Sequence, residues 1–121
     1  MTTPIGPYAP VVEAGGFLIT SGQLGVVPDA DGAPRLVDGG TRAELAQALA
    51  NGAALLEAHG SGPLDVIKAT VFVVDMAEFG LVNEVWTEFF SGHRPARSAV
   101  GVAALPMGAS VEVELWAHRG G

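Results

Sequence analysis

The sequence predicts an α+β domain in which two helices pack against one face of a mixed β-sheet. Apolar residues recur at helical spacing in two segments, near residues 41–59 and 75–91. Short segments rich in β-branched residues surround them, and the last, Ser110–His118, alternates apolar and polar residues. The resulting order ββ(β)αβαββ over 121 residues favours one domain, residues 1–121, with one layer of helices on one sheet.

The N-terminal part is predicted to be extended. Prolines in Gly6–Val12 restrict the backbone to β-like conformations, and Phe17–Thr20 has the composition of a short buried strand. Residues 25–40 are rich in Gly, Pro and Asp, so a loop is expected there, with a short strand at Arg35–Val37.

The first helix is predicted to start at Thr41. Thr41 and Glu44 have the spacing of a capping box, in which the hydroxyl caps the helix and the carboxylate reaches back. His59-Gly60 is a suitable helix end. The expected inward face is Leu45, Ala48, Leu49, Gly52 and Leu56.

A strand at Val66–Val74 is predicted next, followed by a second helix that Asp75 caps and Ser91-Gly92 ends. The apolar stripe of that helix is Phe79, Val82, Trp86, Phe89 and Phe90.

The last two strands, Ser98–Ala104 and Ser110–His118, are predicted to be neighbours joined by a short turn. If that turn sets the register, Gly101 opposes Glu112 on the sheet face that also carries Arg97. Arg97 and Glu112 would then lie about 13 Å apart at strand rise, a gap that a neighbouring subunit closes more easily than one chain does.

Composition narrows the function classes. The formal charge is −7 with only six scattered Lys and Arg residues, which disfavours nucleic acid and acidic membrane surfaces as partners. Hydrophobic residues make up 49% and charged residues 16%, which favours an oligomer, although alanine abundance is the simpler explanation. There is no cysteine, no leader-like N-terminus and no apolar run long enough to cross a bilayer, so a cytoplasmic location is expected.

Two short motifs carry the chemistry. Arg97, in the run Arg94–Ser98, has the planar guanidinium that grips a carboxylate through two hydrogen bonds. Glu112, in the run Val111–Glu114, can hold or deprotonate a water molecule. On residue chemistry alone, a structural ion-pair role is favoured for Arg97, because most arginines have no catalytic role, and Glu112 could belong to a solvated strand face.

The chain resembles the RidA family, also called the YjgF or L-PSP family. The matching pieces cover nearly the whole sequence in the expected order. They are Ile5-Gly6-Pro7-Tyr8, Thr20-Ser21-Gly22-Gln23, Lys68-Ala69-Thr70-Val71-Phe72, Asp75-Met76, Val82-Asn83-Glu84-Val85, Arg94-Pro95-Ala96-Arg97-Ser98, Leu105-Pro106 and Val111-Glu112-Val113-Glu114.

This resemblance implies a chorismate-mutase-like fold and a homotrimeric barrel with ligand sites between subunits. It also implies a cofactor-independent deaminase that hydrolyses 2-imino acids and enamines, such as 2-aminoacrylate or 2-iminobutyrate, to 2-oxo acids and ammonia. Arg97 would bind the substrate carboxylate and Glu112 would position the attacking water. The implied substrate-binding residues are Tyr8, Ser21, Gly22, Asn83 and, through its backbone, Ala99.

The sequence departs from the family pattern at a few positions. Ala99 stands where many members have cysteine, and Trp86 replaces a common tyrosine. Two alternative functions stay open: an endoribonuclease, which the charge disfavours, and a non-catalytic binder of small carboxylates. No metal site is expected, because the three histidines lack metal-ligand spacing.

Overall fold

The computed structural model describes residues 6–119, and they form one five-stranded sheet, a separate hairpin and two helices. Met1–Ile5, where the sequence suggested no leader, lie outside the described residues. The predicted α+β class with two helices on one sheet face is confirmed. The strands are β1 (Val11–Ala14), β2 (Phe17–Thr20), β3 (Val26–Pro28), β4 (Pro34–Leu36), β5 (Val66–Val73), β6 (Ala96–Gly101) and β7 (Val111–His118). The helices are α1 (Gly40–Glu57) and α2 (Phe79–Phe90).

The main sheet has the strand order β1-β2-β7-β5-β6. All its neighbouring pairs are antiparallel except β5 and β6, which are parallel and joined through α2. Such a crossover is the usual way to connect parallel strands, because the helix packs back onto the sheet. The short strand expected at Arg35–Val37 forms as β4 and pairs with β3.

The predicted hairpin between the last two strands is wrong. β6 pairs only with β5, and β5 lies between β6 and β7. The segment that contains the Pro106–Gly108 turn therefore crosses from β6 past β5 to β7, the central strand of the sheet. A short connection usually joins neighbouring strands. Here the α2 crossover places β6 on one side of β5, at the edge of the sheet, and β7 pairs with the other side of β5.

The core lies between the helices and one face of the sheet. The predicted inward residues of α1 are all buried, and β7 alternates as expected, with Val111, Val113 and Leu115 buried. Gly52 of α1 is needed for this packing, because a Cβ there would lie 2.7 Å from Leu115 Cδ1. No helix of residues 6–119 covers the opposite face of the sheet, which we call the open face.

The capping box predicted for α1 is wrong, although the helix is where it was expected. Gly39, at φ 116°, occupies the N-cap position, and no side chain caps the helix. Thr41 instead donates a 2.7 Å hydrogen bond to Glu78 Oε1, and Glu44 accepts one of 2.9 Å from the backbone N–H of Ser110. Both side chains are buried, so tertiary partners compete successfully with the local cap.

Asp75 caps as predicted, but it caps a 3₁₀ turn, Met76–Glu78, that precedes α2. Its Oδ1 accepts a 3.0 Å hydrogen bond from the backbone N–H of Ala77. Because of this turn, α2 begins only at Phe79. The helix ends at Phe90, and Ser91 follows it with a left-handed backbone conformation, φ 49°.

Candidate functional site

Arg97 lies on the helix-covered face of the sheet, at its β6 edge. Its register partner on β5 is Ala69, whose own partner on β7 is the buried Leu115. The guanidinium carbon is 5.1 Å from the ring centre of Trp86 and 5.4 Å from that of Phe79, both on α2. Stacking on aromatic faces orients the cation and leaves its in-plane N–H groups free for a carboxylate.

Partial burial against these rings lowers the pKa of Arg97 from its usual value through desolvation. An arginine with a lowered pKa is still fully protonated near neutral pH, because its usual pKa is so high. Among the described residues, no carboxylate lies within ion-pair distance of Arg97. The structural ion-pair role considered from sequence therefore has no support, and the guanidinium is available to an anion.

A cavity of about 410 Å³ opens beside Arg97. It lies between the C-terminal half of α2 and the segment that enters β6. Its lining consists of Asn83, Trp86, Thr87, Gly92, His93, Arg94, Pro95 and Arg97. The predicted site residues Asn83 and Arg97 are thus brought together, and the lining contains no acidic side chain.

Ala99 follows Arg97 on the same side of β6 and packs against the core. The backbone N–H of Val102 binds the carbonyl of Val73, so residues of β6 with even numbers direct their backbone groups towards β5. Arg97 and Ala99 then direct their N–H and C=O groups to the free edge of the sheet. This orientation suits the backbone contact expected of Ala99.

Glu112 lies on the open face, in a different place from Arg97. Its register partner on β5 is Phe72, which in turn pairs with Val100 of β6. Gly22 lies against the Glu112 side chain, so closely that a Cβ on Gly22 would overlap Glu112 Oε2 and lie 2.7 Å from its Cδ. Two backbone hydrogen bonds between Gln23 and Val113, of 2.7 and 3.0 Å, hold these segments together.

Ser21 directly precedes Gly22, and its hydrogen bonds connect it to the segment that follows Tyr8. The Ser21 hydroxyl donates a 2.6 Å hydrogen bond to the carbonyl of Ala9, and its N–H binds the carbonyl of Pro10. Ser21 therefore holds in place the segment that follows Tyr8, a residue that is 44% exposed. The exposure argues against Tyr8 as a packing residue within the chain.

The Glu112 carboxyl has a raised pKa, first because burial disfavours its charged form and second because the charge of Glu114 repels it. Glu114 is two residues along the same strand, so its side chain is on the same open face. A carboxyl whose pKa is moved towards neutrality is better suited to take and return a proton.

The predicted register of Arg97 and Glu112 is wrong. The strand β5 separates their strands, and the two side chains leave the sheet on opposite faces. Within one chain the predicted site residues therefore fall into two groups. We call Asn83, Arg97 and Ala99 the arginine group, and Tyr8, Ser21, Gly22 and Glu112 the glutamate group.

Three residues at the arginine group were not predicted as site residues: Phe79, Trp86 and Arg94. Phe79 and Trp86 were read only as part of the apolar stripe of α2. Their spacing with Asn83, at positions i, i+4 and i+7, places all three on one helix face, and a polar residue within an apolar stripe is the signal that could have identified them.

No three His, Cys, Asp or Glu side chains in residues 6–119 form a group that could hold a metal ion. His59 and His93 use ring nitrogens on the backbone carbonyls of Leu55 and Val66, at 3.0 and 2.7 Å. In the same part of the chain, neither helix is long and apolar enough to cross a membrane.

Comparison with known proteins agrees with the fold. The sequence profile described as "Endoribonuclease L-PSP" matches residues 1–119. A mouse protein named 2-iminobutanoate/2-iminopropanoate deaminase is 43% identical over 116 residues, which is 96% of this chain and 84% of that protein. Many solved structures have the same fold.

Two of these structures are crystal structures of bacterial proteins. RidA from the Antarctic bacterium Psychrobacter sp. superimposes with a TM-score of 0.89 at 37% identity, covering 97% of this chain and 92% of that one. E. coli TdcF with bound serine gives 0.88 at 36% identity, covering 98% and 93%. The fold and motifs define a protein of the L-PSP class. The chain belongs to this family, which includes RidA and YjgF.

Proposed function

We propose that this protein hydrolyses reactive 2-imino acids and their enamine tautomers to 2-oxo acids and ammonia, at sites formed between the subunits of a homotrimer. The observation that carries the proposal is the division of the site residues into an arginine group and a glutamate group on opposite faces of the sheet. The name of the mouse relative supports the chemistry.

A single chain cannot bring both groups to one small substrate. The carboxylate carbon and the imine carbon of a 2-imino acid are directly bonded, whereas the two groups are separated by the sheet itself. A second copy of the chain that presents its open face to the β6 edge of the first would bring Glu112 of one copy to Arg97 of the other. We therefore infer that each site takes its arginine group from one subunit and its glutamate group from the next.

The open face is suited to such an assembly. It carries exposed apolar side chains that a monomer would leave in water. By strand register, its larger apolar members are the exposed Val12, Phe17, Val100 and Trp116 and the partly buried Ile19 and Phe72. A neighbouring subunit would cover these residues and shield Glu112 further, which would raise its pKa more strongly.

In the proposed reaction, Arg97 holds the substrate carboxylate through two parallel hydrogen bonds, and its stacking on Trp86 and Phe79 fixes their direction. Ionised Glu112 accepts a proton from water as the oxygen attacks the imine carbon. Protonated Glu112 returns this proton to the nitrogen, which gives the neutral carbinolamine. Glu112 then takes the proton of the new hydroxyl group and passes it to the nitrogen. The C=O bond forms as the C–N bond breaks, giving ammonia and the 2-oxo acid.

The basic test supplies 2-aminoacrylate or 2-iminobutyrate in situ with a serine/threonine dehydratase and follows 2-oxo acid formation. Arg97→Ala should lose at least about tenfold in acceleration, because a charged bidentate contact contributes roughly 1.5–3 kcal/mol. Glu112→Gln should still bind 2-oxobutyrate but hydrolyse the imine slowly. A parent protein that binds 2-oxo acids without any acceleration would be a carboxylate binder and not a deaminase.

Mixing the two inactive variants tests the shared site directly. If Arg97→Ala and Glu112→Gln subunits are refolded together, random assortment gives about one quarter of the interfaces an intact pair. Activity should then return to about that fraction of the parent's. The control is a mixture of the two variants that were refolded separately, so that their subunits have not exchanged. A site contained in one chain would give no recovery, since every chain in the mixture carries a defect.

A further inference from the structure

The basic residues of this acidic chain differ in whether they have a carboxylate partner. Three of them, Arg35, Arg42 and Arg119, lie 3.9, 3.6 and 2.8 Å from a carboxylate oxygen. Lys68 donates to the Ser98 hydroxyl on the open face. Within residues 6–119, Arg94 and Arg97 have no carboxylate partner.

Both of these arginines line the same cavity. In a continuous strand, residues three apart would lie on opposite faces, but β6 begins only at Ala96, so Arg94 precedes the alternation. Arg97 lies inside, against the aromatic rings, and Arg94 lies at the exposed rim. Because the lining has no acid, the cavity concentrates two positive charges in a chain of net charge −7.

One carboxylate is enough for Arg97, so the second guanidinium requires a separate explanation. Extended backbone separates the two Cα atoms by roughly 10 Å, and both arginine side chains are long enough to converge on one small molecule. His93, which precedes Arg94 and lines the same cavity, keeps its ring in place through a 2.7 Å hydrogen bond from Nε2 to the Val66 carbonyl. Among the lining residues, only Trp86 and Pro95 have apolar side chains, and Trp86 packs against the Arg97 guanidinium.

We propose that the preferred substrates are 2-imino acids with a second carboxylate at the end of a short side chain. This inference rests on the proposed deaminase function. Arg97 binds the carboxylate next to the imine carbon, and Arg94 binds the distal one. The distal carboxylate takes no part in the bond changes, so the hydrolysis is the same as for a monocarboxylic imine.

The first experiment compares 2-oxoglutarate with 2-oxobutyrate as stable product ligands, using calorimetry. The proteins are the parent, Arg94→Leu, Arg94→Lys and the matched control Arg35→Leu, which removes an exposed arginine from the hairpin. The parent should bind 2-oxoglutarate about tenfold more tightly, because a charge-assisted contact is added. Arg94→Leu should lose that preference while keeping its affinity for 2-oxobutyrate, Arg94→Lys should retain part of it, and Arg35→Leu should retain all of it.

The second experiment measures turnover of imines that an amino-acid oxidase releases from glutamate or from 2-aminobutyrate. The parent should favour the glutamate-derived imine, and Arg94→Leu should not. Equal affinity of the parent for both oxo acids, binding of neither, or an equal loss of both in Arg94→Leu would overturn the proposal. An oligomer that dissociates in Arg94→Leu would also overturn it, because Arg94 would then be a subunit contact.

These outcomes separate the two proposals. Imine hydrolysis without a dicarboxylate preference contradicts only the substrate class. A preference for 2-oxoglutarate that depends on Arg94, without acceleration of either imine, contradicts only the deaminase.

Discussion

At the scale of single residues, the glutamate group depends on a close contact between backbone and carboxylate. Gly22 has no side chain, and this lets the Glu112 carboxylate lie directly against its Cα. The backbone bonds between Gln23 and Val113 set that distance. The position of Glu112 is therefore determined as much by a glycine on the neighbouring segment as by its own strand.

Gly22→Ala should impair catalysis much more than stability. The new methyl group would overlap Glu112 Oε2, and the flexible end of that side chain can rotate away at little cost in packing. We expect kcat to fall by about tenfold or more, since a misplaced base no longer orients the water, with a change of about 1 kcal/mol or less in the free energy of unfolding. Gly62→Ala, where a Cβ meets no neighbour, is the control. Unchanged kcat in Gly22→Ala would mean that Glu112 does not act from this position.

The pH dependence of kcat/KM should follow the Glu112 carboxyl. Its pKa is raised, and the base form is required, so activity falls as the pH drops through that raised value. Glu114→Gln removes the second cause of the shift, and the acid limb should move to lower pH; burial, the first cause, remains. Glu57→Gln, which removes an exposed charge on α1, should leave the limb in place. If the acid limb of kcat/KM has the same position in Glu114→Gln as in the parent, a group other than Glu112 is responsible for it.

At the scale of elements, a partly buried polar cluster joins the start of α1, the turn before α2 and the start of β7. The Thr41 hydroxyl donates a hydrogen bond to Glu78 and lies 3.0 Å from the Ser110 hydroxyl. Glu44 accepts a hydrogen bond from the backbone N–H of Ser110. Ser110 comes just before β7, two residues from Glu112. The cluster thus anchors the strand that carries the proposed base.

Glu44→Leu should destabilise the protein by about 1–3 kcal/mol, because the partly buried N–H of Ser110 loses its acceptor. Glu44→Gln keeps an acceptor oxygen and should cost less. Urea unfolding at one fixed protein concentration measures both, with the exposed Glu57→Leu on the same helix as the control. Equal stability of Glu44→Leu and the parent would show that Ser110 finds another partner.

At the scale of the whole molecule, the distribution of charge and apolar surface supports assembly and not nucleic-acid binding. Three of the five arginines pair with acids, so the described residues present no extended basic surface for a phosphate backbone. The remaining two converge on one cavity. Both features agree better with a small carboxylate ligand than with RNA, despite the name that the family carries.

A homotrimer is expected in solution, and Trp116→Glu should weaken it. Trp116 is 42% exposed in the single chain, on the open face that the neighbouring subunits are proposed to cover. Sedimentation should give a trimer for the parent and smaller species for this variant, with loss of imine hydrolysis in parallel. Leu64→Glu changes a side chain that is 71% exposed and not part of the sheet, so it should leave the trimer intact. A parent that is monomeric at micromolar concentration would contradict the shared site.

Local patterns in the sequence determined the elements and their buried faces. Helical spacing identified the inward side of α1, alternation identified the two faces of β7, and the arginine and glutamate motifs identified the residues of interest. These features are readable because periodicity and side-chain chemistry are properties of neighbouring positions in the chain.

Only the tertiary structure decided which strands are neighbours and which face each motif residue occupies. The strand β5 lies between β6 and β7, and the register through it places Arg97 and Glu112 on opposite faces of the sheet. Tertiary partners drew Thr41 and Glu44 away from a local cap. Pairing order and long-range hydrogen bonds depend on contacts between residues far apart in sequence. The free energy of the whole packed domain selects these contacts, and no local pattern encodes them.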